Sequence, residues 1–341
     1  MINRCAGFAA YRLPGESSPH LIIQNGGNIA TDEMWCQSRQ KGFVMMPFID
    51  NETKPSVFIR EDIAISDKQE ILNTINNFDL DLDRKHYSRS DKYHQAFSKF
   101  ITPLADGTMQ KLVLSCSKQF LSSSSPAELF EKACDKYPRM MVYLSYTPQT
   151  GLWIGCTPEI ILEEFGDIYH TIALAGTQKL VDDMLTHRWD EKNIREQKIV
   201  SDYIGRTITN FTQTFNVSAP FTHRAGHIAH LRTDFYFQII PEYDILTVLK
   251  ALHPTPAICG LPKDKAFRFI NENEGYDRRY YAGIVGSVDC NEMHLYVNLR
   301  CAEIFSNCLY LYVGSGLLPE SEEKIEYQEI IEKMKTIKSI L

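Results

Sequence analysis

No stretch of this 341-residue chain reaches the roughly 18 consecutive apolar residues that a membrane-spanning helix needs. The opening residues MINRCAGF are too short in apolar run for a secretory leader, and Arg12 and Pro14 interrupt the residues after them. The nine cysteines are odd in number and form no C-x-x-C pair, which argues against a disulfide framework and points to a reducing compartment. Zinc-type spacing is missing too, since the ten histidines include no H-E-x-x-H. Also absent are a P-loop, a G-x-G-x-x-G after a strand, and the G-x-S-x-G of a nucleophile elbow. Positive charge is not in excess: 36 Lys and Arg face 43 Asp and Glu, for a net charge of -7. That balance argues against nucleic acid as the partner, while a local basic pocket for a small anion stays allowed. The expectation is a soluble, cytoplasmic protein with neither a nucleic-acid nor a membrane partner.

What is present is enough apolar material, 44% of residues, for one large core or two small ones. Strand-like runs come in pairs around turn residues. Residues 42–48 and 56–60 flank Asp50-Asn51-Glu52, residues 160–163 and 168–173 flank Phe165-Gly166-Asp167, and residues 294–302 and 309–313 flank Ser306-Asn307. Each reads as a hairpin, so antiparallel sheet dominates. Helices lie between. Ser125-Pro126-Ala127-Glu128 is a capping box with proline at the first helical position. Asp190 caps a helix whose Val200, Ile204, Ile208 and Phe211 form a stripe, and Ser321 is the expected cap of a last helix with Ile330, Met334, Ile337 and Leu341 inward. Residues 79–91 and 122–125 read as mobile surface, neither long enough to separate independent domains. The expected architecture is a single α+β domain, with residues 1–90 a strand-rich portion of the same fold as residues 91–341.

Several residues are candidates for chemistry. Lys111 alternates with Val113 and Ser115 on one face of a strand, and two readings are open. It is either an edge lysine reaching to water or a general base inside the sheet, and the base role requires burial beside cationic groups. Glu159 follows Thr157-Pro158 at a strand start. It is either solvent-facing or a general acid, and an acid requires a raised pKa. Glu196 borders the buried stripe of its helix. Glu326 shares a face of the last helix with Lys333, and Glu329 neighbours it. These acids form a solvated salt-bridge face, or they converge from two helices on Mg²⁺. Gly314-Ser315-Gly316 reads as a strand-to-helix turn, either a plain one or one whose free N–H groups cradle an anion. Arg300, in an apolar strand, calls for a carboxylate or phosphate partner. His253, between Leu252 and Pro254, reads as a hydrogen-bonding histidine rather than a base.

Four motifs in the last ninety residues resemble the chorismate-utilising enzymes, and within them the isochorismate synthases. They are His253-Pro254-Thr255-Pro256-Ala257-Ile258-Cys259-Gly260; the run from Tyr276-Asp277-Arg278-Arg279 to Gly286; the run from Leu295 to Asn298-Leu299-Arg300-Cys301; and Gly314-Ser315-Gly316 before the helix with Glu326, Glu329 and Lys333. The resemblance covers about residues 90–341, with an echo in 42–60. It implies two mainly antiparallel β-sheets packed together with helices outside. It also implies roles: Lys111 as the base that activates water, and Glu159 as the acid that protonates the departing hydroxyl. Ala175, Gly176 and Thr177 would line the ring, and Glu196, Glu326 and Glu329 would hold Mg²⁺. Arg300, Gly314, Ser315, Gly316 and Lys333 would clamp carboxylate, with His253 among the substrate-binding residues.

The implied reaction adds water at C2 of chorismate while the 4-hydroxyl leaves, giving isochorismate without a glutaminase subunit. Ala175 stands where a lysine nucleophile would, and His253-Pro254-Thr255-Pro256 differs from the anthranilate-synthase pattern. Alternatives are a salicylate synthase, which goes on to eliminate pyruvate, an aminating enzyme of the anthranilate synthase component I type, and a non-catalytic binding protein that would need neither Lys111 nor Glu159. Two departures stand out: Glu196-Gln197 where the family often has Glu-His, and Thr157-Pro158-Glu159 where it usually has Ser-Pro-Glu.

Overall fold

The computed structural model describes residues 5–31, 35–38, 40–83, 93–181, 184–185 and 188–341. Of the charge-dense stretch 79–91, residues 84–91 therefore lie outside the described residues.

Two sheets carry the fold, and every strand pairing among the described residues is antiparallel. The nine-stranded sheet runs Gly260–Leu261, Lys111–Leu121, Cys308–Leu317, Cys301–Ile304, Gly151–Thr157, Met141–Thr147, Gly7–Arg12, His20–Gln24, Ile63–Ile65. The main path of the ten-stranded sheet runs Phe215–Val217, Ile228–Phe237, Ile168–Val181, Ile160–Phe165, Glu292–Val297, Ile284–Val288, Gly42–Met46, Val57–Arg60. The N-terminal strands thus enter both sheets. The three hairpins expected from turn residues all form.

Alternation along each strand explains why two sheets are stable together. In Met141–Thr147, Met141 and Tyr143 join the core between the sheets, where Phe43 meets Tyr11 at 5.7 Å and Tyr143 at 6.0 Å. Val142, Leu144 and Tyr146 point the other way, into a second core under helices Lys68–Asn76 and Pro126–Lys136. The nine-stranded sheet is buried on both faces, so its strands read as continuous apolar runs.

Helix starts follow local chemistry. Ser125 and Glu128 form the reciprocal capping box, and Asp190 accepts from Asn193 N at the head of helix Glu191–Ile208. Ser321 does not cap. The last helix, Glu323–Lys338, begins after Glu322 with no side-chain cap, while Ser321 Oγ accepts from Leu318 N at 3.0 Å.

Two of the places where the chain steps from one sheet to the other lie side by side. Thr157 ends a strand of the nine-stranded sheet and Ile160 starts one of the ten-stranded sheet, so Pro158 and Glu159 are the step. Residues 298–300 make the return step between Glu292–Val297 and Cys301–Ile304. The single strand expected over 294–302 is broken here because Arg300 takes a left-handed conformation, φ 47°, which ends the extended run. Hydrogen bonds lace the two steps together: Val297 N to Glu159 O at 2.8 Å, Thr157 Oγ1 to Val297 O at 2.6 Å, and Cys156 N to Arg300 O at 3.1 Å.

Candidate functional site

The two steps open onto a cleft lined by Val113, Glu159, Ala175, Gly176, Thr177, Glu196, His230, Tyr281, Arg300, Gly314, Gly316 and Lys333, among others. Most of the residues singled out from sequence therefore meet in one place, although they come from both sheets and two helices.

Lys111 is fully buried, with Leu261 paired outside it, so it is not an edge lysine reaching to water. Its Nζ lies 2.8 Å from Glu196 Oε1 but off the line of a well-formed hydrogen bond, an ion pair with directional capacity to spare. Glu159 is only 5% exposed, which removes the solvent-facing reading. Burial pushes its carboxyl up to about 7, against the opposing pull of Lys111, Lys333 and Arg300. A carboxyl poised there is protonated often enough at neutral pH to donate a proton. Glu196 is the contrast. Burial would raise it, but Lys111, Lys333 and Lys192 outweigh that and hold it below the ordinary carboxylate range.

Ala175 to Thr177 form a bulge in strand Ile168–Val181, with Gly176 at φ 74°. Thr177 N donates to Asn193 Oδ1 at 2.9 Å, and a Cβ on Gly176 would press on Asn193, so the bulge seats the helix that carries Glu196. Gln197, where the family often has histidine, donates from Nε2 to Thr233 Oγ1 at 2.8 Å and ties the same helix to the sheet.

The glycines do not form a turn. Gly314, Ser315 and Gly316 lie inside strand Cys308–Leu317, opposite Ser115, Leu114 and Val113. Their value is space: a Cβ on Gly314 would stand 2.8 Å from Tyr281 Oη, and one on Gly316 would overlap Glu196 Oε1. Ser315 points away from the cleft, as alternation requires, with its Oγ 3.2 Å from Tyr93 Oη. Lys333 Nζ bridges Gly314 O at 3.0 Å and Glu329 Oε1 at 2.6 Å.

His253 stands outside the cleft lining. It ends helix Ile245–Leu252, and its Nε2 donates to Ala282 O at 2.8 Å, bracing the turn next to Tyr281. Burial drops its pKa to about 4, so it is a neutral donor. Neither His253 nor Ser315 is in the cleft lining, and Lys111, Glu326 and Glu329 also stand behind it.

Sequence reasoning passed over other residues. Arg300 Nη2 contacts His230 Nε2 at 2.5 Å, and His230 Nδ1 faces Gly176 O at 2.8 Å. Facing a carbonyl, Nδ1 carries the proton, which leaves Nε2 to accept from Arg300. Burial first, then the charges of Arg300 and Lys333, hold His230 well below the ordinary histidine range. Burial also pulls Arg300 down to about 10, still charged at neutral pH. Glu274 and Arg278 form a buried pair, with Arg278 Nη1 and Nη2 donating to Ile258 O and Val113 O, so they fix one wall of the cleft. Nothing local marks His230, because its partners lie 54 and 70 residues away. Glu274 and Arg278 at i,i+4 were a readable signal.

The three glutamates expected to hold a metal all offer oxygen, which suits a hard cation such as Mg²⁺. As placed, each faces a lysine: Glu196 faces Lys111, Glu329 faces Lys333, and Glu326, 1% exposed, faces Lys192. Among the described residues, no three His, Cys, Asp or Glu side chains gather around one point. The neighbour shared by Glu326, Glu329 and Glu196 is the Lys192 ammonium, which is drawn to the charge of all three. Oxygen-only donors and a cation, Lys192, already lodged against Glu326 fit a divalent metal.

This fold and cleft define a class, a sandwich of two antiparallel sheets whose cleft holds a buried acid in the field of three cationic side chains. The family described as "Chorismate binding enzyme" matches residues 33–341, and the chain belongs to it. It is similar to isochorismate synthase MenF of Escherichia coli (strain K12), 29% identical over 75% of this chain and 62% of the relative. It is also similar to the vibriobactin-specific isochorismate synthase of Vibrio cholerae, 31% identical over 54% of this chain and 49% of the relative. The chain thus spans about half to two thirds of the length of these curated relatives. The solved structure of the menaquinone-specific isochorismate synthase MenF from Escherichia coli superposes with a TM-score of 0.82 at 20% identity, covering 99% of this chain and 89% of the other, a likeness of fold. Among the described residues no helix is long and apolar enough to cross a membrane.

Proposed function

We propose that the protein is an isochorismate synthase, an isomerase that reversibly converts chorismate to isochorismate with Mg²⁺. The observation that carries this reading is a cleft lined by buried Glu159, with buried Lys111 paired to the lining residue Glu196, and a wall that bears the methyl group of Ala175 rather than an amine. Lys111 acts in its neutral form, after the ammonium paired with Glu196 has given its proton to solvent, and then takes a proton from water as the water oxygen bonds to C2. The ring double bond shifts, and the C4 hydroxyl departs with the proton of Glu159 as water. One hydroxyl enters and one leaves, so the step is balanced and reversible. An acid and a base of this kind each supply a factor of about 10²–10⁴. Arg300 and Lys333 supply positive charge for the carboxylates of the substrate. Mg²⁺, held by Glu196, Glu326 and Glu329, would neutralise and orient a carboxylate. The absence of disulfides among the nine cysteines supports a cytoplasmic setting.

The test is incubation with chorismate and Mg²⁺ followed by chromatography. Isochorismate in equilibrium with chorismate is expected, and excess ammonium should give no aminated ring. Stoichiometric pyruvate release would replace this reading with salicylate formation. Full turnover in excess chelator would remove the metal.

A further inference from the structure

Lys192 is the second residue of helix Glu191–Ile208, so its positive charge sits at the positive end of the helix dipole. Local propensity does not explain a cation there. Across the gap, its Nζ is bonded to Glu326, which is almost completely buried, and it also attracts Glu329 and Glu196. Glu196 follows it by one helical turn, while Glu326 and Glu329 come from the last helix. Without this ammonium, Glu326 and Glu329 would repel one another at close range, which burial makes worse. Lys111 and Lys333 cannot take over, since they face Glu196 and Glu329. The Lys192 side chain is 27% exposed and has a four-carbon stem, so it has a path to solvent.

We propose that Lys192 is a resident counter-cation, in contact with Glu326 and attracted by Glu329 and Glu196, which a divalent metal must displace to draw these acids together, so that the lysine weakens metal binding to the free enzyme. The inference rests on the metal reading above and deepens it. Two cations cannot share these oxygens, and the repulsion between an ammonium and a dication at contact range in a partly buried site amounts to more than a factor of ten in affinity. The lysine keeps the acids ordered while no metal is bound, then gives way.

The test is calorimetric titration of the substrate-free protein with Mg²⁺ alone, with melting curves run alongside. Lys192→Met is expected to bind Mg²⁺ at least tenfold more tightly than the wild type. It should melt lower in chelator and gain more from added Mg²⁺. Lys192→Arg, which keeps the charge, should bind no more tightly than the wild type. Equal or weaker Mg²⁺ binding by a folded Lys192→Met or Lys192→Gln overturns the proposal and leaves the metal reading standing. If both neutral variants fold only with Mg²⁺ present, the proposal is supported. If they fail to fold with or without it, the lysine is a structural ion-pair partner that a metal cannot replace, and the proposal falls. Absence of Mg²⁺ binding in all variants, with chorismate turnover persisting in chelator, overturns the metal reading and the proposal together.

Discussion

Glu159 and Glu163 stand four residues apart on one segment, and both are buried, yet they are driven in opposite directions. Burial raises each. At Glu159 the only relief is the charge of Lys111, Lys333 and Arg300, and the carboxyl settles at about 7. At Glu163 the same penalty is overcome by hydrogen bonds from His170 at 2.9 Å, Tyr296 at 2.8 Å and His294 at 3.3 Å, which hold it at about 2. His170 completes that network by presenting its other nitrogen to Asp234 at 2.7 Å. With a carboxylate on each ring nitrogen, both nitrogens donate and the ring is an imidazolium. Burial disfavours that charge, but Asp234 and Glu163 outweigh it and raise the pKa. The lesson is that donor contact, not burial, separates a carboxyl kept for structure from one kept ready to lose a proton.

The comparison can be broken in several places. The largest effect is expected from His170→Ala, which removes one charge-assisted hydrogen bond from each of Glu163 and Asp234, leaving Tyr296 and His294 on the first and Arg232 on the second, and should cost about 3–5 kcal/mol in denaturant unfolding. A loss under about 1 kcal/mol would show that the network is incidental. Next is the acid limb of stability. Glu163 falls from an ordinary 4.5 to about 2, so its contribution is complete above pH 4.5 and is lost as pH drops toward 2. At about 1.4 kcal/mol per pH unit this comes to about 3 kcal/mol, and Glu163→Gln should flatten that limb. Glu159→Gln should lower kcat by at least about 10²-fold, or about 2.7 kcal/mol in the barrier, with the fold intact. The native acid should lose activity as pH rises through about 7, and near-normal rates in the variant would refute its role. The stability sign is also opposite: the contribution of Glu159 is complete below 4.5 and lost as pH rises through about 7, so Glu159→Gln should melt higher than the wild type at pH 8. The smallest effect is Gln197→Ala, which removes one bond to Thr233 and should cost about 1 kcal/mol in a urea melt.

What could be read in advance had local causes. The Ser125 box, the Asp190 cap and the three hairpins depend on residues within a few positions of one another, and all formed. Glycines 314 and 316 misled because a glycine signals a turn unless one knows which side chain approaches it, here Tyr281 and Glu196 from distant segments. The strand over 294–302 misled because its apolar pattern continues through a backbone reversal at Arg300 that no side chain announces. Lys111 and Glu159 were marked as candidates, but their burial is set by the opposite sheet and two helices and had to be observed. Lys192 carried a legible clue, a cation in a first helical turn, whose meaning depends on a helix more than a hundred residues away.

The paired steps at Glu159 and Arg300 turn the sandwich into a calliper. Glu159 and Arg300 each occupy the point where the chain leaves one layer for the other, so the gap between acid and guanidinium tracks the thickness of the filling. Tyr143 reaches from that filling to Asn298 Oδ1 at 2.7 Å, and Trp153 stacks on Tyr312 at 5.2 Å within it. A Trp153→Phe exchange touches nothing in the cleft, yet it would let the layers settle closer and retune the jaws. A lineage could therefore adjust how it grips a substrate by editing residues that never meet it.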